Sequence, residues 1–417
     1  MIKGLVGEKL IHSYSKIIHE QIASDVYNLY SLTLDEFNQF FSNKEFDFVN
    51  VTIPYKEKVI PYLDEISIEA KRIGAVNLVI NKDGKLYGYN TDYYGFKYML
   101  ESNDVCVNGK KCLILGTGGT SKTAKAVLEE LGASIILKAS RNKNELSIGY
   151  DQVYDYDFDI IINTTPVGMF PNLNTRIINL SKFKSLNFVG DCIYNPLRTG
   201  LLIDSEELKI NHDNGLRMLI VQAIKAHEIA LNVNVSKEKI EEIYNSLVKE
   251  KRNIVLIGMP GSGKSSVGSA LSEKLNREVI DIDKYIVQKE NMSIEDIFNK
   301  FSEKYFRELE TSACKEVSKM NNVIISTGGG VIKNKENIDF LKGNGIVYFI
   351  NRDVENIYSV IMSKITDDDN RPLLKSKEDL LKLYNERIEL YQKYCDVVVD
   401  NNNCLNDCVK EIINNEK

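Results

Sequence analysis

The sequence predicts an α/β protein in two parts, a unit with a Rossmann-type dinucleotide lobe followed by a P-loop domain on a parallel sheet. Three observations predict it. Short aliphatic runs alternate with helical patterns, which favours parallel sheets covered by helices. One glycine-rich turn follows a strand near residue 116, and another of a different kind follows a strand near residue 258. At 417 residues the chain has room for about two to four domains, so neither turn accounts for all of it.

The β-like runs in order are LILG at 113–116, SIILKAS at 134–140, DIIINTT at 159–165, NFVGDCI at 187–193, VLIG at 255–258, VIISTGGG at 323–330 and IVYFI at 346–350. Parallel sheets take ligands at the carboxyl ends of their strands. The stretch SKEKIEEIYNSLVKEKRN, 236–253, places Ile240, Ile243 and Leu247 at helical spacing on a charged background, and the P-loop strand follows directly. A domain cut therefore falls near residue 251.

Composition excludes several classes. A net charge of −6 argues against a nucleic-acid partner, which normally meets a basic face. No run of 18 apolar residues exists to cross a membrane, and the N-terminus begins strand-like without a signal-peptide core, so a cytoplasmic enzyme is expected. The seven cysteines form no C-x-x-C pair, and with only four histidines a metal cage is not expected.

Residues 253–266, NIVLIGMPGSGKSS, carry the full G-x-x-x-x-G-K-[ST] pattern in Gly258, Gly263, Lys264 and Ser265. Glycines let backbone N–H groups curl around a phosphate, and the next helix presents its positive end to the same charge. Lys264 is expected to reach the outer phosphates of ATP and Ser265 the Mg²⁺. Downstream, EVIDIDKYI ends a strand with Asp281 and Asp283, whose spacing puts both side chains on one strand face. One carboxylate would organise the metal and the other orient an acceptor hydroxyl. In FSEKYFRELE, Arg307 sits on a helix among acids, and its planar fork suits a carboxylate-bearing substrate. ISTGGGV exposes backbone N–H groups at Gly328, Gly329 and Gly330. DDDNRPLL places Arg371 after an acidic run, and YNERIELY places Arg387 on a helix.

From 253 to about 400 this order of motifs resembles shikimate kinase. The resemblance implies that Asp283, Arg307, Gly329, Gly330 and Arg387 surround shikimate. It also implies that Gly261, Ser262, Gly263, Lys264, Ser265, Ser266 and Arg371 hold ATP, with Ser265 and Asp281 on the metal. Lys264 and Asp283 would be catalytic. A second lid arginine usual in the family is replaced by Lys364.

In the first half, KKCLILGTGGTSKTA offers Gly116, Gly118 and Gly119 between a strand and a helix, with Ser121 where the last glycine of G-x-G-x-x-G would stand. The next strand ends in Arg141 with Lys143 nearby and no Asp or Glu, which suits the 2′-phosphate of NADP. Upstream, Lys56 in NVTIPYKEKV and Asp92 in GYNTDYYGF could together donate a proton to a carbonyl receiving hydride. With Ser13, Ser15, Asn77, NTTPVGM, DCIYNPLRTGLL and NGLRMLIVQA, these stretches resemble shikimate dehydrogenase over residues 3 to about 245. The resemblance implies Lys56 and Asp92 as the catalytic pair, and substrate held by Ser13, Ser15, Thr52, Asn77, Asn90, Tyr194 and Gln222. NADP(H) would lie on Gly116, Gly118, Gly119, Thr120, Ser140, Arg141, Thr164 and Gly215. Residues 1–102 would form the substrate lobe, 103–213 the NADP lobe, 214–250 helices returning to the substrate lobe, and 251–417 the kinase domain.

The chemistry so implied is NADPH-dependent reduction of 3-dehydroshikimate, then phosphorylation of shikimate. Rival readings are a sensor of pathway intermediates without turnover, and a quinate-directed dehydrogenase fused to a small-molecule kinase. Lys56, Lys264 and Asp283, which a sensor could dispense with, are all present.

Overall fold

The computed structural model describes residues 1–10, 14–23, 26–142, 147–363 and 376–416. It divides into two compact units, residues 1–169 with 175–246, and residues 247–417 with 170–174. The boundary lies within the helix Lys237–Lys251, slightly before the expected cut at 251. Ile240, Ile243 and Leu247 are buried on that helix, as its periodicity requires.

The first unit holds two sheets. One comprises β1 (Lys3–Gly7), β2 (Asn28–Ser31), β3 (Phe48–Val51), β4 (Glu65–Ile66), β5 (Leu78–Lys82) and β6 (Lys85–Tyr89), in the order β2-β1-β3-β5-β6-β4. Parallel sheets were the expectation, yet this one is mixed, because β5 runs antiparallel to both β3 and β6. Its hairpin turns on Asp83 and Gly84, both at positive φ, which a tight two-residue hairpin turn requires. That Asp-Gly pair is visible in the sequence.

The other sheet is wholly parallel: β7 (Lys111–Leu115), β8 (Ile135–Ser140), β9 (Ile148–Gly149), β10 (Ile160–Asn163), β11 (Phe188–Asp191) and β12 (Asn211–Asp213), in the order β12-β11-β10-β7-β8-β9. Alternation along β7 sends Cys112 and Ile114 into one helical layer and Leu113 and Leu115 into the other. Burial on both faces is why these strands read as continuous apolar runs.

The second unit is built on β13 (Asn253–Ile257), β14 (Val279–Asp281), β15 (Ile324–Ser326), β16 (Gly345–Asn351) and β17 (Val397–Asp400), all parallel in the order β14-β15-β13-β16-β17. Val255 and Ile257 enter one core layer, Ile254 and Leu256 the opposite one. Each such side chain contributes about 1.5–3 kcal/mol on leaving water. The central strand β13 therefore presents the following loop rigidly at the sheet's carboxyl edge. Among the described residues no helix is long and apolar enough to cross a membrane.

Candidate active sites

At the carboxyl end of β3 the chain turns through Thr52 into the segment bearing Lys56, and Asp92 opens the helix Asp92–Glu101 after β6. The Lys56 ammonium lies 2.6 Å from Oδ2 of Asp92, both groups partly exposed. A cavity of about 490 Å³ is lined by this pair together with Ser15, Thr52, Asn77, Tyr194 and Gln222. These come from six separate stretches of sequence. Gln222 arrives on the helix Gly215–Leu231. Asn77 Oδ1 accepts from the Thr91 amide at 2.6 Å, and Gln222 Oε1 accepts from Thr91 Oγ1 at 3.3 Å. The polar wall is thus locked before any ligand enters.

Asn90 is placed differently from the other candidates. Its carboxamide is buried, donating to the Ala75 carbonyl at 2.9 Å and accepting from the Tyr93 amide at 3.3 Å, and it is absent from the cavity lining. Ser13 lies outside the described residues. Asn50 is a wall residue that sequence reasoning passed over. Its Oδ1 accepts from Tyr27 Oη at 2.9 Å and its amide donates to the Asn77 carbonyl at 3.3 Å. The period-2 relation of Asn50 to Thr52 was the available signal.

The dinucleotide turn sits at the carboxyl end of β7. Gly116 has φ +105, and a Cβ there would meet Thr164 Oγ1 at 2.9 Å, whereas at Gly118 and Gly119 the space is open. Thr120 lies in the first turn of the helix Gly119–Glu130. Ser121, in place of a third glycine, is fully buried with its hydroxyl donating to the Gly118 carbonyl at 2.6 Å. A hydroxyl therefore tightens this turn. The open cradle at the N-terminus of a 12-residue helix fits a pyrophosphate. Thr164 Oγ1 donates to the Leu115 carbonyl at 2.7 Å, tying the loop after β10 to the same edge. Ser140 donates to the Asn142 carbonyl at 2.7 Å, holding the turn that carries the exposed Arg141. Lys143 lies outside the described residues. Gly215 has a packing reason of its own, since a Cβ there would collide with the backbone of Cys192. Beneath this edge Asp191 is buried, which pushes its carboxyl up to about 6 against hydrogen bonds from Thr199, Ile193 and Asn163.

In the second unit the loop after β13 runs through Gly258, Gly261 and Gly263, at φ +152, +82 and +99, into the helix Lys264–Leu275. Non-glycine residues are strained there, which explains the spacing. The buried Lys264 ammonium donates to the carbonyls of Gly258 and Met259, each at 2.9 Å. Burial lowers its pKa to about 8, opposed by Asp283 and Asp281. The Ser262 carbonyl accepts from Asn401 Nδ2 at 2.7 Å, a brace from after β17 that no local sequence signal announced. Gly261, Gly263, Lys264, Ser265 and Ser266 line a cavity of about 330 Å³. The glycine cradle and buried cation fit a triphosphate.

Asp281 and Asp283 do not share a strand face as expected. The strand ends at Asp281, whose Oδ1 accepts from the Lys284 amide at 3.2 Å and caps a helix, so Asp283 stands in that helix's first turn. Capping is the reason, because an aspartate at a strand end readily satisfies a free helical N–H. Asp283 still faces the glycine triplet, its Oδ1 only 2.8 Å from where a Cβ of Gly328 would stand. Burial raises its pKa, helped by Asp281 and opposed by Lys264 and Arg307.

Arg307 and Arg387 converge on the same triplet. A Cβ on Gly330 would lie 2.5 Å from Arg307 Nη1, and Arg387 Nη1 donates to the Gly329 carbonyl at 2.8 Å. Arg387 is 5% exposed, and its buried Nε has no hydrogen-bond partner among the described residues. An unfilled guanidinium donor in such a place fits an anionic substrate group. Tyr391, one helical turn after Arg387, donates to the same carbonyl at 2.6 Å. Arg371 and Lys364 lie outside the described residues.

Comparison with known proteins finds matches for both parts of the chain. The model of the shikimate dehydrogenase substrate binding domain matches residues 5–79, and that of shikimate kinase matches residues 260–416. A shikimate dehydrogenase (NADP(+)) of Clostridium perfringens is 41% identical over 264 residues, covering 58% of this chain and 97% of that protein. One from Caldicellulosiruptor bescii is 38% identical over 272 residues, covering 59% and 94%. The crystal structure of shikimate dehydrogenase 1 from Peptoclostridium difficile superposes with TM-score 0.54 at 37% identity, covering 59% of this chain and 97% of that one. A chorismate mutase/shikimate 5-dehydrogenase fusion from Clostridium acetobutylicum gives TM-score 0.56 at 35% identity, covering 59% and 96%. The chain therefore belongs to the shikimate dehydrogenase family, and carries a shikimate kinase domain on its C-terminal side.

Proposed function

We propose that the protein catalyses two consecutive steps, reduction of 3-dehydroshikimate with NADPH in its first unit and phosphorylation of the resulting shikimate with ATP in its second. The observation that carries the first step is the Lys56–Asp92 pair on the wall of a polar, preorganised cavity. NADPH supplies hydride to the substrate ketone. Lys56 donates a proton to the carbonyl oxygen as charge develops there, and Asp92 holds the ammonium in line. Ser15, Thr52, Asn77 and Gln222 orient the ring hydroxyls and carboxylate, with Tyr194 closing the wall. Asn90 serves as a brace behind Asn77 and Thr91 and not as a direct contact. Gly116, Gly118, Gly119, Thr120 and Thr164 receive the pyrophosphate side, Ser140 and Arg141 the 2′-phosphate.

For the second step, ATP supplies the phosphoryl group. Lys264 and the N–H groups of Gly261 to Ser266 bind its phosphates, and Ser265 and Asp281 offer oxygens to Mg²⁺. Arg307 and Arg387 grip the shikimate carboxylate, and the backbone of Gly329 and Gly330 lines its ring. Asp283 accepts the hydroxyl proton, a role that its upward-shifted carboxyl suits better than an ordinary aspartate would. The test is a coupled assay with 3-dehydroshikimate, NADPH and ATP. Oxidation of NADPH with formation of shikimate 3-phosphate is expected. NADPH oxidation that halts at shikimate would remove the kinase half of the reading, and no oxidation would remove the first.

A further inference from the structure

We infer that Arg352 is a second cationic contact for the phosphates of the nucleotide in the P-loop unit, a role that rests on the kinase reading above. Arg352 lies in the turn between β16 and the helix Val354–Met362. Strand β16 pairs with β13 in parallel register, Phe349 beside Ile257, so both strands release their chains at one edge of the sheet. Arg352 therefore emerges next to the phosphate loop. It lines the same cavity of about 330 Å³ as Gly261, Gly263, Lys264 and Ser265.

Its electrostatic situation is unusual for an arginine. The Nε atom is buried without a hydrogen-bond partner among the described residues. A guanidinium keeps its charge at any physiological pH and cannot relieve burial by deprotonating. The same cavity already holds the Lys264 ammonium and opens onto the N-terminal end of a 12-residue helix. Three positive features thus converge, and Lys264 spends its own hydrogen bonds on the carbonyls of Gly258 and Met259. An anion with several acceptor oxygens resolves all three together, and a guanidinium fork matches phosphate in geometry as well as charge.

The experiment uses the full chain with Arg352→Ala and Arg352→Lys. Dissociation constants for MgADP and for shikimate are measured by calorimetry, and inorganic tripolyphosphate is titrated as a competitor. Arg352→Ala should weaken MgADP and tripolyphosphate by about 10- to 100-fold, the range for a charge-assisted contact, and leave shikimate within twofold. The lysine variant should fall between. Unchanged MgADP affinity, or a loss for MgADP with tripolyphosphate unaffected, overturns the assignment. Parallel loss of shikimate in the alanine variant marks a misfolded unit, and the lysine variant then decides, wild-type MgADP affinity there overturning the assignment. If wild type itself binds no MgADP, the kinase reading falls together with this one. Lost binding in Lys264→Ala beside full binding in Arg352→Ala sinks this one alone.

Discussion

Arg307 donates to Oε2 of Glu310 across 2.8 Å on the same helix, and the carboxylate it meets is 1% exposed. Burial raises the Glu310 carboxyl, and Arg307 opposes the shift. Glu303 flanks the guanidinium on its open side at 3.3 Å. The arginine is therefore positioned by its own helix while its tip reaches Gly330, so structure and recognition share one side chain. Arg307→Ala should cost about 3 kcal/mol by orphaning Glu310, near the lower end for a buried pair because Arg307 is 24% exposed. The double variant Arg307→Leu with Glu310→Gln should regain most of the melting temperature and none of the shikimate affinity. Recovery of both would mean that the guanidinium only props the helix. Arg307→Lys should bind shikimate at least about tenfold more weakly with ATP affinity intact, because an ammonium lacks the bidentate fork.

In the first unit, Lys56→Ala should lower turnover by about 10² to 10⁴ with little change in the dissociation constant for NADPH. Asp92→Asn should fall in the same direction, since it keeps the hydrogen bond to Lys56 but removes the charge. Stopped-flow hydride transfer and NADPH fluorescence titration separate the two quantities. Full turnover in Lys56→Ala would end its assignment as proton donor.

Arg141 is exposed at the end of β8, where burial adds little to its hold on a ligand. Arg141→Ala should raise the KM for NADPH by an amount equal to about 1.5–3 kcal/mol and leave that for NADH almost unchanged. Steady-state kinetics with both cofactors decide it. Equal effects would show that the residue does not read the 2′-phosphate.

Local chemistry made much of this legible in the sequence. The glycines at 116, 258, 261 and 263 take backbone conformations that other residues resist, so their spacing after a strand marks the phosphate turns. The apolar runs of β7, β10 and β13 were readable because both faces are buried. Less legible was whatever depends on two distant segments meeting. Asn401 bracing Ser262 and Arg352 sharing a cavity with Lys264 have no neighbour in sequence to announce them. Tyr391 was within reach, because a residue one turn from Arg387 shares its helix face. The mixed first sheet is legible only through the Asp83–Gly84 turn that pairs β5 with β6, because short strands carry little other sign of their direction. Strand periodicity misplaces the Asp281–Asp283 pair because Asp281 already caps a helix.

Lys264 supplies a pH signature specific to the nucleotide site. An unfolded lysine titrates near about 10.4, whereas burial brings Lys264 down to about 8. Between those values the unfolded chain binds more protons, so this group makes the ligand-free kinase unit gain stability as pH rises through the window. Bound phosphates reverse the balance, because they favour the ammonium and raise its pKa. Nucleotide binding at pH 8 should therefore take up part of a proton, and apparent affinity should fall above pH 8 by up to about tenfold per unit. ADP is already fully ionised there, so its own titration does not contribute. Calorimetry in buffers of different ionisation enthalpy reads the uptake directly. The slope should be clear at pH 8, nearly absent at pH 6.5 for this group, and abolished at pH 8 in Lys264→Met. A wild-type slope of zero at pH 8, or an unchanged slope in Lys264→Met, would show that the buried ammonium does not meet the phosphates.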